Sequence, residues 1–251
     1  MAAKLLILGG TTEATDFAAT AAEAGLTGIV SFAGRVARPK RQPLPQRVGG
    51  FGGAEGLAAY LRAEKITHVI DATHPFAAQM SHNAVAACTR AQVPLVALTR
   101  PAWQAQPGDT WHHVPSIAAA AAALARPAQT VLLAIGRIHL AAFTGHPQHS
   151  YVLRLVDAPD TPPPFPQHEV IVARGPFTKD SDLALMRSRG VSLVVSKNSG
   201  GKGAYAKIAA AREMGLPVIM IDRPAIPDRQ ELGDSAAVLA WIAHSGTERG
   251  V

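Results

Sequence analysis

The sequence contains little of what several protein classes require. Its single cysteine, Cys88, excludes a disulfide within the chain and any paired-cysteine zinc site. Cys88 lies in an alanine-rich stretch that predicts a helix, so we interpret it as a small core residue. Aromatic residues make up only 5% of the chain against 48% hydrophobic residues, a balance more typical of alanine-rich α/β proteins than of β-sandwiches.

Charged residues are also few, at 17%, which argues against a disordered chain or a coiled coil. The apolar run near the N-terminus is too short for a membrane span and stops at Gly9-Gly10. We therefore expect a cytoplasmic protein. None of the ten histidines has the HExxH spacing of a metal site, and we expect no metal.

The net charge of +6 bears on the type of partner. Arginine and lysine are mostly single residues at the ends of apolar runs, whereas nucleic-acid-binding surfaces usually cluster them with aromatic residues. The pattern favours a basic pocket for a polyanionic small molecule over a surface for nucleic acid or for an anionic membrane.

Short apolar runs alternate with alanine-rich helical stretches, the pattern of βαβ units around parallel sheets. Residues 34–53 and 157–167 are rich in proline or glycine and predict loops. The predicted strands are 4–8, 28–32, 67–70, 94–98, 130–135, 151–155, 169–173, 191–195 and 217–221. The predicted helices are 13–24, 54–64, 76–91, 117–125, 180–189, 204–214 and 235–244.

Two strand–loop–helix–strand stretches, residues 68–101 and 193–224, have similar lengths, and both finish with Arg-Pro. One interpretation is that all βαβ units look alike. The other is two similar α/β halves facing a common cleft at the carboxyl ends of their strands, where parallel sheets bind ligands. We predict two domains, at residues 1–100 and 101–251.

The first candidate site is the turn Gly9-Gly10-Thr11-Thr12-Glu13, which follows a predicted strand and opens a helix. Glycines allow a sharp turn, and helical N–H groups with threonine hydroxyls suit phosphate oxygens. Because the GxGxxG spacing is absent, a plain turn with a threonine cap remains an alternative. The next strand leads to Ser31, Gly34 and Arg35 without an acidic residue, so the charge favours NADP over NAD.

Polar residues also follow later strands. Asp71, Thr73 and His74 precede a helix where a cofactor's ribose or nicotinamide would pass, although His74 fits a helix cap equally well. The segment Ser196-Lys197-Asn198-Ser199-Gly200-Gly201-Lys202 lacks the first glycine and the Ser/Thr of a P-loop, and instead suits carboxylate recognition. Further candidates for a basic cleft that binds several carboxylates are Arg100, Arg137, Arg174 with Phe177, and Arg223.

In their order and spacing these motifs resemble the precorrin-6A reductase family of cobalamin biosynthesis, over essentially the whole chain. The resemblance is carried by residues 7–14, 50–53, 71–77, 100–103, 136–137, 174–177, 196–201 and 223–224. It implies two Rossmann-like halves, NADPH on the first and a ring-contracted tetrapyrrole rich in carboxylates between them. The implied reaction is hydride transfer from NADPH to precorrin-6A, giving precorrin-6B.

The resemblance also implies roles for individual residues. His74 and Lys197 are candidate proton donors, beside water and a substrate carboxylate. A cobalt-containing substrate and an unrelated NADP-binding regulator remain alternatives. The cofactor-binding set is Gly9, Gly10, Thr11, Thr12, Glu13, Ser31, Gly34, Arg35, Asp71, Thr73, His74 and Arg100. The substrate-binding set is Arg137, Arg174, Phe177, Lys197, Asn198, Ser199, Gly200, Gly201, Lys202 and Arg223.

Overall fold

The computed structural model describes residues 3–33 and 41–245. The described residues form two compact units. The first contains the chain up to Pro101 together with the C-terminal segment from Ala225, and the second contains Ala102–Pro224. No helix in these two described ranges is long and apolar enough to cross a membrane.

Strands and helices alternate along most of the chain. The strands are β1 (Lys4–Leu8), β2 (Thr27–Phe32), β3 (Gln46–Val48), β4 (His68–Asp71), β5 (Leu95–Leu98), β6 (Thr110–Val114), β7 (Thr130–Ala134), β8 (Ser150–Leu155), β9 (His168–Val172), β10 (Leu193–Lys197), β11 (Pro217–Ile221) and β12 (Gln230–Leu232). The helices are α1 (Thr12–Glu23), α2 (Gly53–Ala63), α3 (Ala78–Ala91), α4 (Ile117–Ala122), α5 (Lys179–Ser188), α6 (Ala206–Glu213) and α7 (Ser235–Ser245), with a 3₁₀ helix at Arg137–Phe143.

The first unit is a parallel sheet in the order β3-β2-β1-β4-β5-β12. Alternate residues of β1 face opposite sides, because side chains alternate along a strand. Leu5 and Ile7 pack in one core with Phe17 of α1, whereas Leu6 and Leu8 pack in another with Leu57 of α2. The strand order reverses between β1 and β4, and parallel α/β sheets bind ligands beyond the carboxyl ends of strands at such a point.

The second unit is a parallel sheet in the order β9-β8-β7-β10-β11-β6. Here the order reverses between β7 and β10. The two sheets differ in the source of their sixth strand. In the second unit β6 precedes the other five strands in the chain, whereas in the first unit β12 follows the other five.

The prediction of two α/β halves with parallel sheets is confirmed. The two stretches of similar length are β4-α3-β5 and β10-α6-β11, and they occupy the same positions in their sheets. Three strands were not predicted, β3, β6 and β12, and neither was the 3₁₀ helix. All three lie at sheet edges, and β3 (QRV) and β12 (QEL) are short and polar, so they carry no apolar signal.

The predicted domain range 101–251 is wrong at its C-terminal end. Strand β12 pairs with β5 of the first unit. Val238 and Ile242 of α7 are buried in the core that contains Phe17. The chain therefore returns to the first unit after Pro224, because that sheet's last edge and one of its faces are completed only by residues from Ala225 onward.

Candidate active site

The glycine turn after β1 depends on both of its glycines. A Cβ on Gly9 would lie 3.2 Å from Val30 Cγ1 and 3.3 Å from Phe32 Cε1, which is tighter than ordinary contact. The Gly9 N–H donates to the Ser31 carbonyl at 2.8 Å, which holds the turn against β2. Gly10 has a φ of +123°, a conformation that favours glycine. The backbone therefore comes close to β2 and then turns sharply into α1.

Thr11 ties this turn to the turn after β4. Its Oγ1 accepts a hydrogen bond from the Ala14 N–H at 3.1 Å, so Thr11 is the N-cap of α1. The same hydroxyl donates to the Ala72 carbonyl at 2.7 Å. The capping interpretation is confirmed for Thr11. Thr12 is exposed at the first position of α1, where its backbone N–H belongs to the helix N-terminus.

Glu13 and Arg100 were both predicted to bind the cofactor. In the structure they form an ion pair with each other. Arg100 Nη1 lies 2.5 Å from Glu13 Oε2, with the two side chains 18% and 29% exposed. Glu13 also lies in the first turn of α1, where a negative charge is favourable. The carboxylate of Glu13 thus offsets part of the positive charge that Arg100 would otherwise present to a ligand.

The end of β2 is organised by Arg47. Arg47 Nη1 donates to Ser31 Oγ at 2.8 Å and to the Gly49 carbonyl at 3.0 Å. Its guanidinium stacks on Phe51, 4.0 Å from the ring centroid. Ser31 is therefore buried beneath a structural arginine. The predicted cofactor residues Gly34 and Arg35 lie outside the described residues.

Asp71 ends β4, and its carboxylate is buried. Oδ1 accepts from the Thr73 N–H at 3.1 Å and from Thr73 Oγ1 at 2.7 Å. Oδ2 accepts from Ser81 Oγ at 2.6 Å and from Arg229 Nη1. With two donors on each oxygen, the carboxylate fixes the turn that follows β4 and is not directed toward a ligand.

His74 lies on the turn that Asp71 holds. Its Nδ1 accepts a hydrogen bond from the Phe76 N–H at 3.1 Å. A nitrogen that accepts carries no proton, so this geometry places the proton of the neutral ring on Nε2. His74 therefore caps the local backbone and can present an Nε2–H donor. The helix-cap interpretation is wrong, because the N-cap of α3 is Ala77 and His74 binds the backbone of the turn before that helix.

In the second unit, the turn after β10 is held by Asn198 and Trp103. Asn198 is buried, and its Oδ1 accepts from the Trp103 N–H at 2.7 Å while its Nδ2 donates to the Trp103 carbonyl at 2.9 Å. The Trp103 indole donates from Nε1 to the Gly201 carbonyl at 2.7 Å. Asn198 thus acts in the fold by clamping the segment that leads into the second unit.

Arg223 holds the same turn from β11. Its Nε and Nη2 donate to the carbonyls of Asn198 and Ser199, each at 3.1 Å. Gly200 and Gly201 both have a φ of +69°, so the backbone reverses direction there. Lys197, at the end of β10, is partly exposed, and Lys202, after the glycines, is exposed.

The other predicted substrate residues are at the surface. Arg137 begins the 3₁₀ helix and pairs with Asp160 at 3.2 Å, and Arg174 pairs with Asp157. Both arginine side chains are about half exposed or more. Phe177 lies under the guanidinium of Arg154, 4.2 Å from its ring centroid, and is therefore a packing partner.

A buried charged cluster lies behind the turn after β10. Arg154 Nη1 contacts Asp182 Oδ1 at 2.5 Å, and Lys207 Nζ donates to the Ala204 carbonyl at 2.6 Å. Burial and, to a smaller extent, the positive charge of Arg154 lower the pKa of Lys207 to about 7, against the opposing effect of Asp182. Burial raises the pKa of Asp182 against the effect of Arg154. Asp182 Oδ2 has no hydrogen-bond partner among the described residues.

Comparison with known proteins decides the family. Residues 4–243 match the model of a family described as "Precorrin-6x reductase CbiJ/CobK". The chain belongs to this family. A precorrin-6A reductase from Rhodobacter capsulatus is 55% identical over 249 residues, covering 99% of both chains. A cobalt-precorrin-6A reductase from Priestia megaterium is 30% identical over 253 residues, covering 96% of this chain and 97% of the relative. A solved structure of "CobK precorrin-6A reductase" has a TM-score of 0.93 at 54% identity, covering 97% of each chain.

Membership in the precorrin-6x reductase family confirms the resemblance found in the motifs, and with it an oxidoreductase of cobalamin biosynthesis. A nicotinamide cofactor is consistent with a reductase of this kind. The alternative of an unrelated NADP-binding regulator is wrong.

Sequence reasoning missed the residues that hold the two turns in place. Arg229 and Lys207 lie in no motif. Trp103 lies in the motif at residues 100–103, but its hydrogen-bond partners Asn198 and Gly201 are far away in the chain. Arg47 lies in the predicted loop at residues 34–53 and was given no role, although Phe51, four positions later, is an aromatic ring on which an arginine can stack.

Proposed function

We propose that this chain reduces precorrin-6A to precorrin-6B with NADPH. One observation carries the choice of substrate: the relative named for precorrin-6A is far more similar to this chain than the relative named for the cobalt-containing compound. Both relatives align over nearly their whole length, so the difference is not one of coverage. The cobalt-containing substrate is therefore the second candidate.

The glycine turn fits the phosphates of a nicotinamide dinucleotide. It lies at the point where the order of the first sheet reverses, and the backbone before it packs so closely on Val30 that a side chain would be crowded. The N–H groups at the start of a twelve-residue helix point to the same end of the sheet. When bound, NADPH supplies the hydride.

We assign the choice of NADPH over NADH to the segment after β2. No aspartate or glutamate occurs from Ser31 to the residue before Glu55. This segment therefore has no carboxylate that could accept a hydrogen bond from a ribose 2′-hydroxyl. Arg35 follows β2 by three residues and carries the charge that suits a 2′-phosphate. Ser31, held by Arg47, supports the end of this strand.

The residues of the turn after β4 orient the reacting end. Thr73 is fixed by Asp71, and His74 presents Nε2 as a donor because its Nδ1 is engaged by Phe76. His74 is our first candidate for holding a proton that reaches the substrate, and Lys197 at the end of β10 is the second. Both residues lie at carboxyl ends of strands next to a reversal of strand order.

Carboxylates of the tetrapyrrole are assigned to cations of the second unit. Arg137 and Arg174 are held by exposed ion pairs, which contribute about 0–1 kcal/mol, so exchanging an aspartate for a substrate carboxylate requires little energy. Lys197 and Lys202 flank the glycine-rich turn. Arg223 donates hydrogen bonds to two backbone carbonyls of that turn, and its main role is to stabilise the turn.

The test measures oxidation of the reduced cofactor by its absorbance, with precorrin-6A or cobalt-precorrin-6A as substrate and with NADPH or NADH. We expect turnover with precorrin-6A and NADPH. Faster turnover of the cobalt compound would establish the second candidate, and no oxidation with either substrate would reject the reductase proposal.

Arg35→Ala tests the choice of cofactor in the same assay. Loss of a charge-assisted contact should raise KM for NADPH about tenfold or more and leave KM for NADH nearly unchanged. The matched control is Arg41→Ala, which removes an exposed arginine from the same predicted loop, residues 34–53. Equal effects of Arg35→Ala on the two cofactors would remove the 2′-phosphate role.

A further inference from the structure

Arg229 lies in the C-terminal segment of the first unit, and its side chain is almost entirely buried. It immediately precedes β12, and its side chain is only 9% exposed. Nη1 donates to Asp71 Oδ2, and Nε lies 3.3 Å from Glu231 Oε1. The arginine thus joins the edge strand β12 to the end of β4, near the centre of the sheet.

The Asp71 carboxylate depends on this contact more than on its others. Thr73 and Ser81 donate from neutral groups, whereas Arg229 is the one cation recorded in contact with Asp71 among the described residues. A buried carboxylate without a compensating charge is strongly unfavourable. Without Arg229, Asp71 would have to take up a proton or turn toward solvent.

Either change would disturb the turn after β4. Asp71 Oδ1 holds both the backbone N–H and the hydroxyl of Thr73, which precedes His74. The neighbouring Ala72 carbonyl accepts the Thr11 hydroxyl, which also caps α1. A displacement of Asp71 therefore reaches the glycine turn through two hydrogen bonds.

We propose that Arg229 is a positioning residue for the nicotinamide cofactor: it neutralises Asp71, which in turn fixes the Thr73–His74 turn and, through Thr11, the glycine turn. The proposal rests on the proposed function, since it assumes that the cofactor binds at these two turns. Arg229 does not itself contact the cofactor. The C-terminal segment is thereby part of the cofactor site, although its sequence contains no recognisable binding motif.

The test compares Arg229→Met with Glu231→Gln, which removes the other partner of the same guanidinium. Two quantities are measured without tetrapyrrole: the Kd for NADPH, from cofactor fluorescence, and hydrogen exchange of the backbone over residues 72–77. Arg229→Met should raise Kd by about tenfold or more and speed exchange in 72–77, as expected for loss of a contact to a buried charged group. Glu231→Gln should change neither by more than about twofold, as is usual for exposed ion pairs.

Two further variants keep the test decisive if Arg229→Met does not fold. Arg229→Lys retains the charge with a single point donor and should recover part of the affinity. The double variant Asp71→Asn with Arg229→Met leaves no unpaired buried charge, so it should bind NADPH more tightly than Asp71→Asn alone, which leaves Arg229 without the Asp71 carboxylate.

Unchanged exchange in 72–77 and an unchanged Kd in the Arg229 variants would overturn the inference. So would a double variant that binds NADPH no more tightly than Asp71→Asn alone. If the unmodified protein binds no NADPH, the cofactor assignment of the proposed function is rejected. Hydrogen exchange in residues 72–77 then still decides whether Arg229 positions the turn after β4.

Discussion

The turn after β4 and the turn after β10 occupy equivalent positions in the two sheets, yet they are held by different chemistry. In the first unit a buried carboxylate, Asp71, is paired with a buried arginine. In the second unit a buried amide, Asn198, forms two hydrogen bonds with the backbone of Trp103. Each turn is further tied by a donor from another element, Thr11 in one case and Arg223 in the other.

This difference teaches which polar residues at strand ends are available to ligands. Asp71 and Asn198 both lie where a ligand is expected, and both face inward to fix the backbone. The residues beyond them, His74 in one turn and Lys202 in the other, are at least partly exposed. The inward polar residue fixes the turn, and the residues that follow it remain accessible from solvent.

The largest expected effect comes from removing the ion pair between Arg229 and Asp71. Arg229→Met should lower the free energy of unfolding by about 3–5 kcal/mol, because it leaves the buried Asp71 carboxylate without its cation. Urea denaturation followed by circular dichroism measures this. Arg90→Met is the control, since Arg90 forms only an exposed pair with Glu55. A loss no larger than that of the control would mean that the carboxylate is satisfied by its neutral donors alone.

Removing the uncharged hydrogen bonds between Asn198 and Trp103 should have a smaller effect on stability. Asn198→Ala leaves the Trp103 N–H and carbonyl without their partners, which should lower the free energy of unfolding by about 1–3 kcal/mol. The same denaturation experiment applies, with Asn83→Ala as the control because the amide of Asn83 bonds only at the surface of α3. If Asn198→Ala proves as destabilising as Arg229→Met, the contrast between charged and neutral support is lost.

Glycines follow β1 and β7, which occupy equivalent positions in the two sheets, and they allow the two units to be compared. Gly10 follows β1 with a φ of +123°, and Gly136 follows β7 with a φ of +83°. Replacing either with alanine should strain the backbone by about 1–2 kcal/mol. We expect Gly10→Ala to raise the Kd for NADPH and Gly136→Ala to raise KM for precorrin-6A, each leaving the other constant nearly unchanged. Reversed or shared effects would contradict the division of roles between the units.

The parts of this molecule that were predictable from sequence have local signals. Strand β1 and the glycine turn are recognisable because an apolar run meets two glycines at a helix start. Arg229 had no such signal, since its partner Asp71 is 158 positions away. The basic residues were overinterpreted for the same reason. Arg100 lies against Glu13, and Arg223 against backbone carbonyls, and only the folded chain reveals these contacts.

The smallest expected effect concerns Lys207, whose ammonium group contacts the Ala204 carbonyl near the end of the turn after β10. Its pKa in the folded protein is about 7 because of burial, below the usual value of about 10.4 that the unfolded chain restores. Between these values the unfolded state binds more protons, so the stability of the folded protein should rise with pH. The slope in this window is about 1.4 kcal/mol per pH unit at most, since one proton is involved.

Denaturation of the protein and of Lys207→Met at pH 7, 8 and 9 measures this slope. The variant should lose it, because methionine fills a similar volume and does not titrate, whereas the exposed control Lys65→Met should keep it. Equal slopes in Lys207→Met and the unmodified protein would show that another group titrates. A slope that disappears in Lys207→Met would show that Lys207 is the titrating group and that its amine loses its proton in the folded protein as the pH rises.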